Sequence, residues 1–340
     1  MVWFHGGGYA TGAGDLEIYD PRSIVAEQNV LVVNVTSRLG MLGYLGDGVT
    51  LKANLGLLDQ REALRWIHDN IAHFGGDPAN VTLFGQSAGA DAIAHLMIAD
   101  GTEGLFQRAI LQSAPLGLAR NRARMAKKLV DAAGMLTPSL AVEDVLKRQR
   151  FVERRALRFG LRGAMPFGVL YGQPPLPPQR QCADAWRAIA PEIDVLIGTN
   201  SAETAIYLPA AKGTRLSKRA KALDSILHFL VVRPTTYLLY LAPAKRFFRR
   251  HKRAGGNATR YMIDKVASGI AVGPAHMTEV PLLLGTRRAW QRTSLLAGAD
   301  WESIGELGSQ LRKAWADFAR TGRVVADTHE EVSVLRILNR

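Results

Sequence analysis

The chain has 340 residues, 47% hydrophobic and 21% charged, which fits a globular protein with a large core and excludes an intrinsically disordered one. Its formal net charge of +13 comes with no nucleic-acid-binding motif, so no nucleic-acid partner is expected. The one cysteine, Cys182, excludes an intramolecular disulfide and favours a reducing, cytoplasmic setting; no apolar run has the length of a membrane helix, and Met1 opens no signal-peptide pattern.

Met1-Val2-Trp3-Phe4 predicts a buried strand that runs directly into a glycine loop, His5-Gly6-Gly7-Gly8. Asp20-Pro21 opens a short helix through Glu27, and the β-branched run Val30 to Val35 suits a strand buried on both faces. Leu57, Leu64, Ile67 and Ile71 recur at helical spacing within Ala53 to Phe74, and Gly75-Gly76-Asp77-Pro78 ends that helix. Val81 to Phe84 predicts a strand, Ala88 to Ala99 a helix, and Ala109 to Gln112 the next strand. Basic helical segments follow from Ala119 to about Arg158, then a loop from Pro166 to Pro178.

Asp194 to Gly198 is another buried strand, and it leads into Thr199-Asn200-Ser201-Ala202-Glu203. A helical pattern runs from Ala222 to Lys252 with breaks at Pro234 and Pro243. Thr259 to Asp264 is a strand, His276 falls in a loop before an apolar helix, and a last helix covers Ile304 to Thr321. No internal repeat is present, and one domain is expected over residues 1–340.

The pivot of this pattern is Phe84-Gly85-Gln86-Ser87-Ala88-Gly89-Ala90. A Gly-x-Ser-x-Gly turn between a strand and a helix forms a nucleophile elbow, in which the serine is strained and its hydroxyl stands above the sheet. The turn demands small neighbours, and the helix beginning at Ala88 directs the positive end of its dipole at the serine. Strands alternating with helices specify a parallel sheet, whose ligands bind beyond the carboxyl ends of the strands. Gly6 to Gly8, Ser87, Glu203 and His276 all fall just after predicted strands.

On these residues the chain resembles the type-B carboxylesterase family, the cholinesterase-like branch of the α/β-hydrolase superfamily. The resemblance rests on His5-Gly6-Gly7-Gly8-Tyr9, Arg38-Leu39-Gly40, the block from Asn54 to Ala90, and Gly104 to Ile110. It resumes at Gly198-Thr199-Asn200, Gly273-Pro274-Ala275-His276 and Trp315 to Ala319. It implies an α/β-hydrolase fold and a catalytic triad of Ser87 as nucleophile, His276 as general base and Glu203 as the acid that orients it. It implies an oxyanion hole from the backbone N–H groups of Gly7, Gly8 and Ala88, a small-molecule ester substrate, and neither metal nor organic cofactor.

The family pattern has glycine after the acid where Thr204 stands here, and often tyrosine where Ser37 stands. It also carries a region ahead of Met1 with edge strands of the sheet, so a shortened form is expected, with the Val30 to Val35 strand exposed along one edge. Two other readings follow. A catalytically silent esterase-like protein, either a truncated product or an interaction module, would keep the fold without turnover, and a lipase-like enzyme would use the apolar stretch from Leu227 to Leu241 and the basic block Lys245 to Arg253 at a membrane surface.

Among the remaining histidines, His5 is expected to brace the glycine loop. His68, His73, His95, His228, His251 and His329 are expected to be structural. Asp194 and Glu192 compete with Glu203, but they precede the strand and so belong at the opposite end of the sheet.

Overall fold

The computed structural model describes residues 1–137, 139–207, 228–324 and 334–338. Among the described residues seven strands form one sheet in the order β2-β1-β3-β4-β5-β6-β7. Six are parallel: β1 (Val2–Phe4), β2 (Val33–Val35), β3 (Thr82–Gln86), β4 (Arg108–Gln112), β5 (Asp194–Asn200) and β6 (Ala258–Ile263). The short β7 (Arg336–Ile337) runs antiparallel to β6.

Side chains alternate between the two faces of a strand, and the core divides accordingly. Phe4, Leu83, Leu111 and Ile197 enter one apolar layer, while Trp3, Phe84, Ile110 and Leu196 enter the other. The first layer packs against α2 (Gly40–Tyr44), α3 (Leu55–Asn70), α4 (Ala88–Leu96), α5 (Ala123–Ala133), α6 (Val142–Ala156), α7 (Cys182–Ala188) and α8 (Ala242–Arg253). The second packs against α1 (Arg22–Gln28) and α9 (Trp301–Thr321). A parallel sheet needs both faces covered, so its strands are apolar on both sides.

The expected strand over Val30 to Val35 shortens to β2, because β2 lies at the sheet edge among the described residues and only three of its positions pair with β1. Val30, Leu31 and Val32 are half-buried against the two apolar layers rather than laddered. The breaks expected at Pro234 and Pro243 also differ from what is found. The chain stays helical from His228 to Arg253, with wide π-helical turns at His228–Val232 and Tyr237–Leu241 just ahead of each proline. Proline removes an N–H and crowds the preceding turn, and a wider turn absorbs both effects. Residues 222–227 of the expected helix, and His329, lie outside the described residues. No helix among the described residues is long and apolar enough to cross a membrane.

Candidate active site

Ser87 joins β3 to α4 with φ 56° and ψ −123°, a positive-φ conformation that a residue with a side chain rarely adopts. The strain is held from both sides. Ser87 N–H donates to Gln112 O of β4 at 2.9 Å, and its carbonyl accepts from Asp91 N at 2.9 Å inside the first turn of α4. The helix can approach so closely because residue 89 is glycine: a Cβ there would collide with the carbonyl groups of Phe4 and His5.

The three residues expected to act together converge from distant parts of the chain. His276 Nε2 lies 2.7 Å from Ser87 Oγ, and His276 Nδ1 lies 2.6 Å from Glu203 Oε2. Glu203 begins a 3-10 turn just after β5; its Oε1 accepts from Asn200 N at 2.7 Å and its own carbonyl accepts from His276 N at 3.0 Å. The acid is therefore fixed at both oxygens. All three side chains are largely buried, Glu203 completely. Gln86 Nε2 also reaches His276 Nε2 at 3.2 Å; an amide N–H can only donate, so this contact favours the tautomer with the proton on Nδ1, facing Glu203.

Burial disfavours the charged imidazole of His276, but the hydrogen bond to Glu203 and the charges of Glu203 and Glu279 outweigh it, and its pKa is raised above the ordinary 6.5. Glu279 is a second carboxyl behind Glu203 and His276, buried and held by Asn200 Nδ2 at 2.5 Å. Burial, then the charge of Glu203, push its pKa from 4.5 up to about 7. Asn200 Nδ2 also donates to Ala275 O at 2.7 Å and so ties the end of β5 to the His276 loop. Tyr240 packs its ring against the imidazole at a centroid distance of 5.2 Å.

The glycine loop borders the serine: a Cβ on Gly6 would stand 3.3 Å from Ser87 Cβ. Gly7 and Gly8 hold φ values of 111° and 62°, which only glycine adopts freely. The N–H groups of Gly7 and Gly8 make no hydrogen bond among the described residues, and that of Ala88, first in α4, has no acceptor within the helix. His5 Nδ1 meets Gly6 O at 2.7 Å, and its ring stacks on Tyr19, so it braces the loop. An open cleft of about 590 Å³ extends from Gly7 and Gly8 along α6.

Thr204, the residue that departs from the family pattern, is accommodated by hydrogen bonds to Thr235 Oγ1 at 2.7 Å and Val232 O at 3.1 Å. Glu192 and Asp194 lie at or before the start of β5, away from His276, and Asp194 contacts Arg108 instead. His68 and His73 are exposed, while His95 and His251 are buried against backbone carbonyls. Asn200, Glu279 and the pair Tyr9 and Asp91 were not expected from sequence. Glu279 stands three residues after His276 and Asp91 four after Ser87, spacings that only a known partner makes meaningful. Among the described residues no group of three or more acidic, histidine or cysteine side chains could hold a metal ion.

A doubly covered, mostly parallel sheet with a strained serine after its third strand defines an α/β-hydrolase. The sequence pattern of the carboxylesterase family matches residues 1–229, and a probable N-octanoylanthranilate hydrolase of Rhodococcus erythropolis is 35% identical over 329 residues, covering 95% of this chain and 72% of the relative. The para-nitrobenzyl esterase of Bacillus subtilis is 29% identical, over 100% of this chain and 75% of that protein. The solved structure of a thermophilic PNB esterase superposes with a TM-score of 0.76 at 28% identity, covering 97% of this chain and 73% of that one. The chain belongs to the carboxylesterase family and is a carboxylic ester hydrolase.

Proposed function

We propose that the protein is a serine carboxylesterase that works through an acyl-enzyme, with Ser87 as nucleophile, His276 as general base and Glu203 as the group that orients it. The observation that carries this reading is the unbroken relay from Ser87 Oγ through both nitrogens of His276 to Glu203 Oε2, at 2.7 and 2.6 Å. Ser87 Oγ attacks the ester carbonyl while its proton passes to His276 Nε2; the tetrahedral oxyanion takes hydrogen bonds from the N–H groups of Gly7, Gly8 and Ala88. The imidazolium, steadied by Glu203, returns the proton to the leaving alcohol. Water then enters, gives a proton to the same nitrogen, attacks the acyl carbon and releases the acid with Ser87 restored.

The relative named for a para-nitrobenzyl ester makes aromatic esters the first substrates to test. Purified protein and Ser87→Ala are compared on para-nitrobenzyl and short-chain para-nitrophenyl esters, with circular dichroism to show that both are folded. Turnover that falls by roughly 10⁴-fold or more in the variant supports the reading. Equal inactivity of two folded proteins overturns it.

A further inference from the structure

A second cavity, of about 270 Å³, lies beside α7 and α8. Its wall carries three guanidinium groups, Arg120, Arg246 and Arg250, and no carboxylate. None of the three side chains has an ion-pair or hydrogen-bond partner among the described residues. Arg250 is the innermost. Its guanidinium lies 4.4 Å from the ring centre of Trp186 and 4.9 Å from that of Phe247, a cation–π contact with both rings. Burial, together with the charges of Arg187 and Arg120, pulls its pKa down to about 10.

Like charges gathered around a half-enclosed, aromatic-walled space repel one another, and no carboxylate in the wall neutralises them. The arrangement is favourable once an anion enters, because planar guanidinium groups bind phosphate and carboxylate oxygens in pairs of hydrogen bonds. The cavity is also distinct from the triad. His95, in the last turn of α4, packs against Trp186 and Tyr171 in its wall, at 5.7 and 5.3 Å, whereas Ser87 precedes the first turn of that helix.

We infer that the cavity between Arg120, Arg246 and Arg250 is a binding site for a phosphate monoester, with its organic group against Trp186 and Leu116. The same phosphate chemistry is offered by a soluble metabolite and by the headgroup of phosphatidic acid. The soluble source leaves the cavity mouth as it is. The lipid source would also engage the exposed apolar side chains Tyr237 and Leu238, since Leu238 O lies next to Gly117 at this edge.

Calorimetric titration of the whole chain with phenyl phosphate and with inorganic phosphate tests the site, alongside sedimentation with phosphatidic acid and phosphatidylcholine vesicles. Arg120→Gln/Arg246→Gln is the main variant, because both side chains are exposed and neither supports the core; Arg250→Gln is the second. Saturable binding of phenyl phosphate, weakened at least tenfold in the double variant and by added salt, supports the proposal. Pelleting with phosphatidic acid alone, lost in the double variant, supports it with a lipid as the source. No heat at millimolar phenyl phosphate together with no pelleting overturns it, as does binding that both variants retain in full. Ester hydrolysis plays no part in either readout, so these outcomes are independent of the proposed catalytic role of Ser87.

Discussion

Tyr9, the residue after the glycine loop, donates its hydroxyl to Asp91 Oδ2 at 2.7 Å, and Asp91 sits one helical turn beyond Ser87. The bond is buried and joins the two segments that would bind the oxyanion, the loop carrying Gly7 and Gly8 and the helix beginning at Ala88. Their relative position therefore depends on one side-chain contact in addition to backbone packing.

Tyr9→Phe removes the donor and leaves Asp91 poorly satisfied, since Asp91 Oδ1 already has no hydrogen-bond partner. A stability loss of about 1–3 kcal/mol is expected. A fall in kcat larger than any rise in KM is also expected, because a displaced oxyanion donor acts on the transition state. Asp91→Leu in the Tyr9→Phe background removes the carboxylate that has lost its donor and recovers part of the stability. A denaturant-based double-mutant cycle checks this: strictly additive losses would show that the two side chains are not coupled.

Glu203→Gln tests the orienting role without changing shape. A glutamine amide can present N–H to His276 Nδ1 and so favour the opposite tautomer, whose Nε2 carries a proton and cannot accept from Ser87. We expect kcat to fall by roughly 10³- to 10⁴-fold with KM little changed. A loss below tenfold, measured by steady-state kinetics on a para-nitrophenyl ester, would exclude Glu203 as the orienting acid.

Most of the sheet and the strained turn at Ser87 were legible in the sequence because their signals are local. A β-branched run, a glycine pair that admits a close helix, and helical spacing such as Leu57, Leu64 and Ile71 need no knowledge of the rest of the chain. What escaped depends on distant partners. β7 is two residues long and exists only through Met262 and Tyr261 of β6. α7, a seven-residue helix that follows a proline-rich loop, is fixed by Trp186, whose indole N–H reaches Ala94 O at 2.7 Å. Val30 to Val32 carry a strand's composition, but ladder pairing at the sheet edge stops short of them. Asp91 and Glu279 look unremarkable in sequence, because only the fold brings them to Tyr9, Asn200 and Glu203.

Ser87→Gly is expected to be more stable than Ser87→Ala, the reverse of the order in a helix interior. Both lose the hydroxyl, so the comparison isolates the backbone. At φ 56° and ψ −123° a Cβ is strained, and glycine relieves that by about 1–2 kcal/mol, more than its added chain entropy costs. Urea unfolding of the two variants checks the order, and a more stable alanine variant would mean that the turn relaxes without the hydroxyl.

Glu279→Gln should change both the pH profile of catalysis and the pH dependence of stability. Removing a buried negative charge near His276 withdraws support from the imidazolium, so the imidazole pKa falls. Because the base must be neutral to accept the proton of Ser87, the acidic limb of kcat/KM moves to lower pH. For stability the sign follows from the raised carboxyl pKa. Between about 4.5 and about 7 the folded protein holds a proton on Glu279 that the unfolded chain has released, so this group's contribution is full below that window and is lost as pH rises through it. The wild type should therefore lose on the order of 2 kcal/mol relative to Glu279→Gln between pH 5 and pH 8. The amide oxygen introduced by that substitution can still accept from Asn200, which keeps the tie to the His276 loop. Parallel stability curves for the two proteins across that range would show that Glu279 stays ionised, and the shift of the acidic limb would then have to arise from its charge alone.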